Sequence, residues 1–184
     1  RASLHKKSAE IYIQSSYLFN PILEPILQRP QSQKIRVGYF SADFRNHSVS
    51  LLTAELYELH DKNKFEIIAF SFGVDDRTPM RSRLQQAFNQ FIDVSSMSDL
   101  EIAQLARELG IDIAVDLGGF TADSRTEIFS YRAAPVQVSY IGYLGTMGAV
   151  HYDYLFADKT IIPENLQKFY SEKKESNPKK HFFD

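Results

Sequence analysis

The sequence predicts an α/β fold, a Rossmann-like doubly wound domain with a mostly parallel sheet. Several segments of strand length are nearly continuous apolar runs, as in Phe65–Ser71, and such runs are typical of strands buried on both faces. These segments alternate with short helical segments along most of the chain, an order that is typical of βαβ units. Because βαβ crossovers are right-handed, we expect the helices to cover both faces of the sheet.

Residues 1–34 are predicted to lead into this domain as a helix followed by a linker. Leu4–Tyr17 has a weak apolar face at helical spacing and predicts one short helix. Prolines at positions 21, 25 and 30 follow, and Gln28–Lys34 is polar without periodicity, which indicates a linker. An N-terminal helix packed on the edge of the domain explains the same residues equally well.

Residues 35–172 carry the alternating pattern that predicts the domain itself. Ser98-Asp99-Leu100-Glu101 is a capping-box sequence that places a helix start at Ser98, and Gly110 is a suitable residue to end that helix. The predicted strands are Ile35–Phe40, Phe65–Ser71, Phe91–Val94, Ile111–Leu117, Pro135–Ile141 and Tyr154–Ala157. The other predicted helices are about Ser50–Leu59, Met80–Phe88 and Ser124–Tyr131, with one more beginning in Pro163–Tyr170. Residues 173–184 have no periodicity and are predicted to form a frayed or truncated tail.

Composition narrows the functions that the chain could have. With 184 residues it can form one domain with a substantial core. Its net charge of −2 gives no electrostatic reason to expect nucleic acid or an anionic membrane as a partner. The chain has no cysteine, which excludes disulfides and thiolate chemistry and fits a reducing, cytoplasmic location. No apolar run approaches the roughly 20 residues of a membrane-spanning helix.

Three loops that follow predicted strands are the places where functional residues are expected. In a parallel sheet all strands end at the same edge, and ligands bind in the crevice there. The loops are Ser41–Ser48, Gly118–Thr121 and Gly142–Gly148. Their glycines would let the backbone approach a ligand and present N–H groups to it, with the hydroxyls of Thr121 and Thr146 as further donors. Neither glycine loop has the spacing of a P-loop or a dinucleotide fingerprint, so an ATPase or a dehydrogenase is disfavoured.

His47 is the best single candidate for acid–base chemistry or for a hydrogen bond to a polar ligand. Spacing alone favours a plainer alternative, a loop histidine that satisfies backbone groups at a helix start. His151 is predicted to be structural, because no second cluster of ligands accompanies it. His5, His60 and His181 stand in polar contexts and are predicted to be surface residues.

Three carboxylates, Asp43, Asp116 and Asp123, also lie at or near this edge of the predicted sheet. Paired as acid and base they would suggest a hydrolase, but the sequence does not give the distances between them.

Several motifs in these loops resemble those of one enzyme family. They are Val37–Val49 (VGYFSADFRNHSV), Asp116–Thr121 (DLGGFT), Ala134–Gly148 (APVQVSYIGYLGTMG), Asp153–Asp158 (DYLFAD) and Phe169–Lys173 (FYSEK). In this order and at this spacing they resemble the protein O-linked N-acetylglucosamine transferase family, in the bacterial form of its SPINDLY-like group. The resemblance covers about Ile35–Lys173, and an ordered series of motifs is far more specific than any one of them.

The resemblance implies one half, the N-terminal catalytic half, of a two-domain glycosyltransferase B fold that usually follows tetratricopeptide repeats. Members of the family transfer N-acetylglucosamine from UDP-N-acetylglucosamine to Ser or Thr hydroxyls of proteins, with inversion and without a metal or other cofactor. His47 matches the catalytic-site histidine of the family. The candidate substrate- and donor-binding residues are Asp43, Asn46, Gly119, Thr121, Ile141, Gly142, Gly145 and Thr146.

The sequence departs from the family pattern at three points. Phe120 stands where many bacterial members have His and others have Tyr, and Leu144 replaces a common proline. The sequence ends at Asp184, whereas the second Rossmann half of the family holds most of the contacts to UDP. The expected partners are therefore protein acceptors, the nucleotide sugar, a C-terminal catalytic half and upstream repeats.

Three hypotheses about function follow. The first is the N-terminal half of a protein glycosyltransferase, expected to be inactive as this isolated chain. The second is a catalytically silent remnant of the fold that binds a protein or another ligand. The third is a stand-alone nucleotide-binding domain.

Overall fold

The computed structural model describes residues 2–16, 23–26 and 33–175. Within these residues seven strands form one sheet in which every pair is parallel, in the order β3-β2-β1-β4-β5-β6-β7. The strands are β1 Ile35–Ser41, β2 Phe65–Ser71, β3 Gln90–Asp93, β4 Ile113–Asp116, β5 Val136–Tyr140, β6 Tyr154–Phe156 and β7 Lys173–Glu175. The helices are α1 Ala2–Ser16, α2 Ser48–Leu59, α3 Pro79–Ala87, α4 Asp99–Glu108 and α5 Glu127–Ser130, followed by a 3-10 turn at Glu164–Phe169. The predicted α/β, Rossmann-like fold class is confirmed.

The sheet is covered on both faces, which explains why its central strands are apolar along their whole length. On one face, Tyr39 and Ile67 pack against α2 and α3 through side chains such as Tyr57 and Leu84. On the other face the core includes buried residues of β1, β2, α4 and α5, which are Phe40, Ile68, Phe70, Ile102, Ala103, Ala106, Ile128 and Phe129. Phe40 and Phe70 lie side by side on adjacent strands, with their rings stacked 4.4 Å apart between centroids.

The strand order creates a switch point between β1 and β4. From β1 the chain moves outward through β2 to β3, then returns to the other side of β1 and moves outward again from β4 to β7. The loops that leave β1 and β4 therefore turn to opposite sides, and a crevice opens between them. The strand order thus places the expected ligand-binding crevice beside the loops that follow β1 and β4.

The N-terminal helix α1 packs against the glycine-rich loops at the carboxyl ends of β4 and β5. Tyr12 meets Phe120 edge to face at 5.2 Å between ring centroids, and the His5 ring lies 2.9 Å from the Tyr143 hydroxyl. Ile13 packs against the core. For residues 2–16 the structure agrees with the second interpretation of the sequence, an N-terminal helix packed on the edge of the domain. Most of the predicted linker Gln28–Lys34 lies outside the described residues.

Three predicted elements differ from the structure. α5, Glu127–Ser130, is shorter than the predicted helix Ser124–Tyr131, and Asp123 and Arg132, with positive φ angles of 60° and 58°, bound the segment that contains it. The helix predicted to begin in Pro163–Tyr170 is a 3-10 turn. The tail predicted from Lys173 onward is wrong for its first three residues, because Lys173–Glu175 pairs with β6 as an edge strand. Residues 176–184 lie outside the described residues.

In the described part of the chain, no helix is both long and apolar enough to cross a membrane.

Candidate functional site

A cleft of about 200 Å³ lies at the switch point, between the loops that leave β1, β4 and β5. It is lined by Asp43, Arg45, His47, Val49, Leu117, Thr121, Ala122, Asp123 and Gly142. Four of the predicted site residues therefore meet there, from three loops that are far apart in sequence. They are Asp43, His47, Thr121 and Gly142.

The β1 loop is stabilised by hydrogen bonds between residues close in sequence, from the end of β1 to the start of α2. The N–H of Asp43 donates to the Ser41 hydroxyl at 2.9 Å, and the Ser50 hydroxyl donates to the Asp43 carbonyl. His47 is the N-cap of α2, and its Nδ1 atom accepts a hydrogen bond from the Val49 N–H at 3.3 Å. The plainer alternative for His47, a histidine that satisfies backbone groups at a helix start, is thus part of what the structure shows.

The same ring also faces the cleft beside a carboxylate. Asp43 accepts a hydrogen bond from Arg45 at 3.1 Å, and its other oxygen lies 3.6 Å from Nδ1 of His47. A neutral imidazole whose Nδ1 accepts the Val49 N–H carries its proton on Nε2, and it can then donate a hydrogen bond to a ligand oxygen. A proton on Nδ1, directed at Asp43, would instead leave Nε2 as an acceptor or base. The 3.3 Å contact is a hydrogen bond and the 3.6 Å contact is too long for one, so this conformation favours the donor form.

The β4 loop is built around Asp116, whose side chain is buried. Its carboxylate accepts hydrogen bonds from the N–H groups of Gly118 and Gly119 at 2.9 and 3.0 Å and from the Tyr152 hydroxyl. Burial raises the pKa of the Asp116 carboxyl, and these hydrogen bonds oppose the change. Asp116 therefore stabilises the β4 loop through its buried carboxylate. The acid–base pair of carboxylates considered for a hydrolase does not include Asp116.

Backbone N–H groups of the glycine loops were expected to face a ligand, and in four places the structure uses them internally. Besides Gly118 and Gly119, the Gly142 N–H donates to the Tyr140 carbonyl at 2.8 Å and the Gly148 N–H donates to the Thr146 hydroxyl at 3.1 Å. The expectation that the glycine N–H groups face a ligand is therefore wrong for these four groups in this conformation.

The β5 loop starts with a strained turn. The bond from Gly142 N–H to Tyr140 encloses Ile141, whose φ of 61° is rare for a β-branched residue. A Cβ atom on Gly142 would lie 1.9 Å from the Leu117 carbonyl oxygen, so only glycine fits between the β4 and β5 loops. The strain and the missing side chain together bring the two loops into contact at the cleft.

The other predicted site residues do not line the cleft. Thr146 is buried, and its hydroxyl donates to Glu172 at 2.8 Å, while Gly145 sits against the His5 ring of α1. Gly119, with a φ of 56°, packs against Tyr143, whereas the partly buried Ile141 packs against the core on the α2 and α3 side of the sheet. Asn46 is exposed and donates its backbone N–H to Asp76 at 2.8 Å. Whether these residues contact a ligand stays a prediction.

Sequence reasoning missed Arg45, Val49, Leu117 and Ala122 as cleft residues. The first two follow the spacing of Asp43 and His47, since alternate residues of the β1 loop share one side of it. That signal was available in the sequence. The sequence carries no signal for contacts such as that of Leu117 with Gly142, because they depend on how two loops pack together.

The remaining histidines divide between core and surface. His151 is buried with its Nε2 atom unpartnered, and burial, reinforced by Arg132, lowers its pKa to about 4, which fits the predicted structural role. His60 was predicted to lie on the surface, but it is half-buried against Phe65 and lies 2.8 Å from the Tyr39 hydroxyl, because it caps the end of α2. His5 is exposed, and His181 lies outside the described residues.

In the described ranges, no group of three His, Asp or Glu side chains is placed to hold a metal ion. Metal independence stays a prediction.

Comparison with known proteins identifies the family. A family model described as Glycosyl transferase family 41 matches residues 7–184, which is nearly the whole chain. The chain belongs to glycosyl transferase family 41. The resemblance predicted from the loop motifs is thereby confirmed.

Curated relatives of this family 41 chain include plant and animal proteins. A probable UDP-N-acetylglucosamine–peptide N-acetylglucosaminyltransferase SEC of Arabidopsis thaliana is 37% identical over 149 residues, which are 81% of this chain and 15% of that protein. A UDP-N-acetylglucosamine–peptide N-acetylglucosaminyltransferase of Caenorhabditis elegans is 35% identical over 77% of this chain and 12% of its own length. A probable transferase named SPINDLY from Arabidopsis thaliana is 34% identical over 73% of this chain and 15% of its own length.

A solved structure shows the same arrangement. A mutant of the Thermobaculum terrenum O-GlcNAc transferase superposes with a TM-score of 0.75 at 26% identity, covering 95% of this chain and 37% of that chain. The family 41 chain therefore spans a small part of its curated relatives and little more than a third of this solved one.

Proposed function

We propose that this chain is the N-terminal half of the catalytic region of an inverting, metal-independent glycosyltransferase. It transfers N-acetylglucosamine from UDP-N-acetylglucosamine to Ser or Thr hydroxyls of proteins. The observation that carries the proposal is the switch-point cleft, where His47, Asp43 and Thr121 meet in a family 41 chain. The relatives that match it are named as transferases that move this sugar to peptides.

The cleft suits the acceptor and sugar side of such a reaction. In the transfer, the acceptor hydroxyl oxygen attacks the anomeric carbon, the bond from that carbon to the β-phosphate oxygen breaks, and UDP leaves with the electron pair. The hydroxyl proton must pass to a base during this step. Through its Nε2–H, His47 binds and orients an oxygen of the sugar or the acceptor, and the negative edge made by Asp43 and Asp123 favours a neutral ligand over a phosphate.

Phosphate binding is assigned to a C-terminal half, because the cleft holds one cationic side chain, Arg45, which is paired with Asp43. The chain covers 37% of the solved relative, which leaves room in such a protein for that second half. Upstream tetratricopeptide repeats and a cytoplasmic location complete the proposal, the latter in keeping with the absence of cysteine.

Transfer of radiolabelled sugar from UDP-N-acetylglucosamine to a protein acceptor tests the proposal. We expect transfer by a full-length protein that carries this chain, and none by the 184-residue chain alone. No transfer by the full-length protein to any Ser- or Thr-containing acceptor mixture would favour the catalytically silent remnant instead. Calorimetry of the isolated chain with UDP separates the third hypothesis, since a stand-alone nucleotide-binding domain would release or absorb heat.

A further inference from the structure

The β1 loop has two sides, and only one of them faces the cleft. Asp43, Arg45, His47 and Val49 line the cleft, at every second position of the chain. The alternate positions Ala42, Phe44 and Asn46 turn backbone groups to residues 72–81, which run from the end of β2 into the first turn of α3. That segment, 72–81, thus meets the whole back of the loop that carries His47.

Arg81, on the first turn of α3, makes the central contact. It is 4% exposed, and its Nη1 atom donates to the Phe44 carbonyl at 2.9 Å and to the Ser71 hydroxyl at 2.7 Å. The guanidinium lies over the Phe91 ring, 4.5 Å from its centroid, and Nε lies 3.8 Å from Asp75. The buried Nε atom has no hydrogen-bond partner among the described residues, so the side chain is held by the two Nη1 hydrogen bonds and the Phe91 ring, which come from the β1 loop, β2 and β3.

Two further contacts hold the β1 loop at Asn46 and Ala42, on either side of the Phe44 carbonyl that Arg81 binds. A carboxylate oxygen of Asp76 accepts the Asn46 N–H at 2.8 Å, one residue before His47, while its other oxygen accepts from Thr78. At Gly73 a Cβ atom would lie 1.8 Å from the Ala42 carbonyl oxygen, so the two backbones touch there. The loop is therefore fixed at 42, 44 and 46, and these positions alternate with the residues that face the cleft.

We propose that Arg81 and Asp76 are positioning residues that hold the β1 loop so that His47 and Asp43 face the cleft. The proposal rests on the proposed function of His47, and it adds two residues that touch neither sugar nor acceptor. Both hold backbone atoms of the loop, so their loss changes where the His47 ring lies and which groups its nitrogens face. Arg83, two residues along the same helix, is the matched control, because its guanidinium pairs with Glu58 on the surface and does not touch the loop.

The test is NMR of the 184-residue chain without nucleotide, with signals read from the His47 ring and the Asn46 amide. In R81M and D76A we expect both signals to shift, with changes concentrated in residues 42–49, whereas R83M leaves them in place. In R81K, which keeps a cationic donor near Phe44, the signals move part of the way back toward those of the original chain. The ring nitrogen shifts report which nitrogen of His47 carries the proton, a readout that a loss of overall stability does not change.

Unchanged His47 and Asn46 signals in R81M and D76A would overturn the inference, and so would equal shifts in R83M. If R81M does not fold, D76A decides alone, because Asp76 lies on the partly exposed loop before α3. The measurement uses no sugar or acceptor, so it is read separately from the proposed function. A full-length protein that transfers no sugar would contradict that function and leave the NMR result as it stands.

Discussion

His47 caps a helix in the structure and binds a ligand in the proposed function, and each role uses a different nitrogen of its ring. Nδ1 accepts the Val49 N–H and caps α2, while the rest of the ring, with its side chain 38% exposed, faces the cleft. A helix cap fixes both the position and the tautomer of the ring, so the donor atom offered to a ligand is set before the ligand arrives. The structural and functional interpretations of this histidine are therefore compatible.

Two substitutions distinguish the capping hydrogen bond at Nδ1 of His47 from the hydrogen bond that its Nε2–H would donate to a ligand. His47→Ala removes both, whereas His47→Asn keeps a capping oxygen but has no Nε2–H to offer. We expect His47→Ala to lower the free energy of unfolding by about 1 kcal/mol and His47→Asn to leave it nearly unchanged. In a full-length protein both should lower sugar transfer by roughly 100-fold, because the hydrogen bond that orients the sugar or the acceptor is lost. Near-normal transfer by His47→Asn would show that the ring acts only as a cap; urea unfolding and turnover give the two values.

His151 predicts a dependence of stability on pH. Its pKa is about 4 in the folded chain, because burial and Arg132 disfavour the charged ring, against an ordinary value of 6.5. Above pH 6.5 the ring is neutral in both states. Between 6.5 and about 4 the unfolded chain takes up a proton that the folded chain does not, so stability falls as the pH falls, by up to about 3 kcal/mol in total.

The control for this prediction is His151→Phe, which keeps an aromatic ring and removes the titration. Urea unfolding at pH 7 and pH 5 should show a larger loss of stability for the original chain than for the variant. Comparing the two chains at each pH cancels the contributions of other groups, including the buried Asp116. Equal losses in both chains would mean that His151 is accessible to protons in the folded state.

At the scale of single residues, the sequence predicted which loops meet at the cleft better than what each side chain contacts. His47 was chosen because it follows a buried strand and opens a helix, and both features are local. The inward turn of Asp116 and the burial of Thr146 against Glu172 depend on partners 36 and 26 residues away. Nothing in the local pattern distinguishes a loop hydroxyl that faces a ligand from one that faces a buried carboxylate.

At the scale of elements, the loops of the cleft are held together by close backbone contact. Gly142 lies against the Leu117 carbonyl, so the end of β5 approaches the end of β4 more closely than side chains would allow. The positive φ of Ile141 directs the chain into this contact. Strain of this kind persists only where the surrounding structure fixes it, and here it is located at the candidate site.

Replacing two glycines tests this contact. A Cβ atom on Gly142 would meet the Leu117 carbonyl oxygen at 1.9 Å, whereas on Gly118 the nearest atoms would be 3.6 Å away. We expect Gly142→Ala to lower the free energy of unfolding by about 3 kcal/mol, since backbone must move, and Gly118→Ala to change it by less than about 1 kcal/mol. Urea unfolding of both variants measures the difference, and similar losses at the two positions would contradict the packing described here.

Elements with a strong local pattern were predicted accurately, and those defined by their neighbours were not. The predicted strand Phe65–Ser71 and the capping box at Ser98 match the structure. Strand β7 was missed because Lys173–Glu175 is charged and forms a strand only by pairing with the open edge of β6. Left-handed residues likewise bound the segment that contains α5, at Asp123 and Arg132, and the sequence does not mark them with glycine.

At the scale of the whole molecule, strand order decides where the site lies. Two series of strands leave β1 in opposite directions, and the cleft opens where they part. Alternating strands and helices predicted a parallel sheet, but many strand orders satisfy that pattern. The place of the cleft between the β1, β4 and β5 loops therefore required the structure, although each loop had been recognised separately.

Metal removal tests the proposed mechanism for the complete protein. The cleft residues include Asp43 and Asp123, and a divalent cation held there would be the obvious alternative to a donor histidine for stabilising charge. If His47 and a C-terminal half supply all the polar contacts, sugar transfer by a full-length protein should be unchanged after treatment with EDTA and exchange into metal-free buffer. A loss of transfer that returns on addition of Mg²⁺ or Mn²⁺ would contradict metal independence. Asp123→Asn then distinguishes the two cases, because it should abolish a metal-dependent reaction and only weaken a metal-independent one.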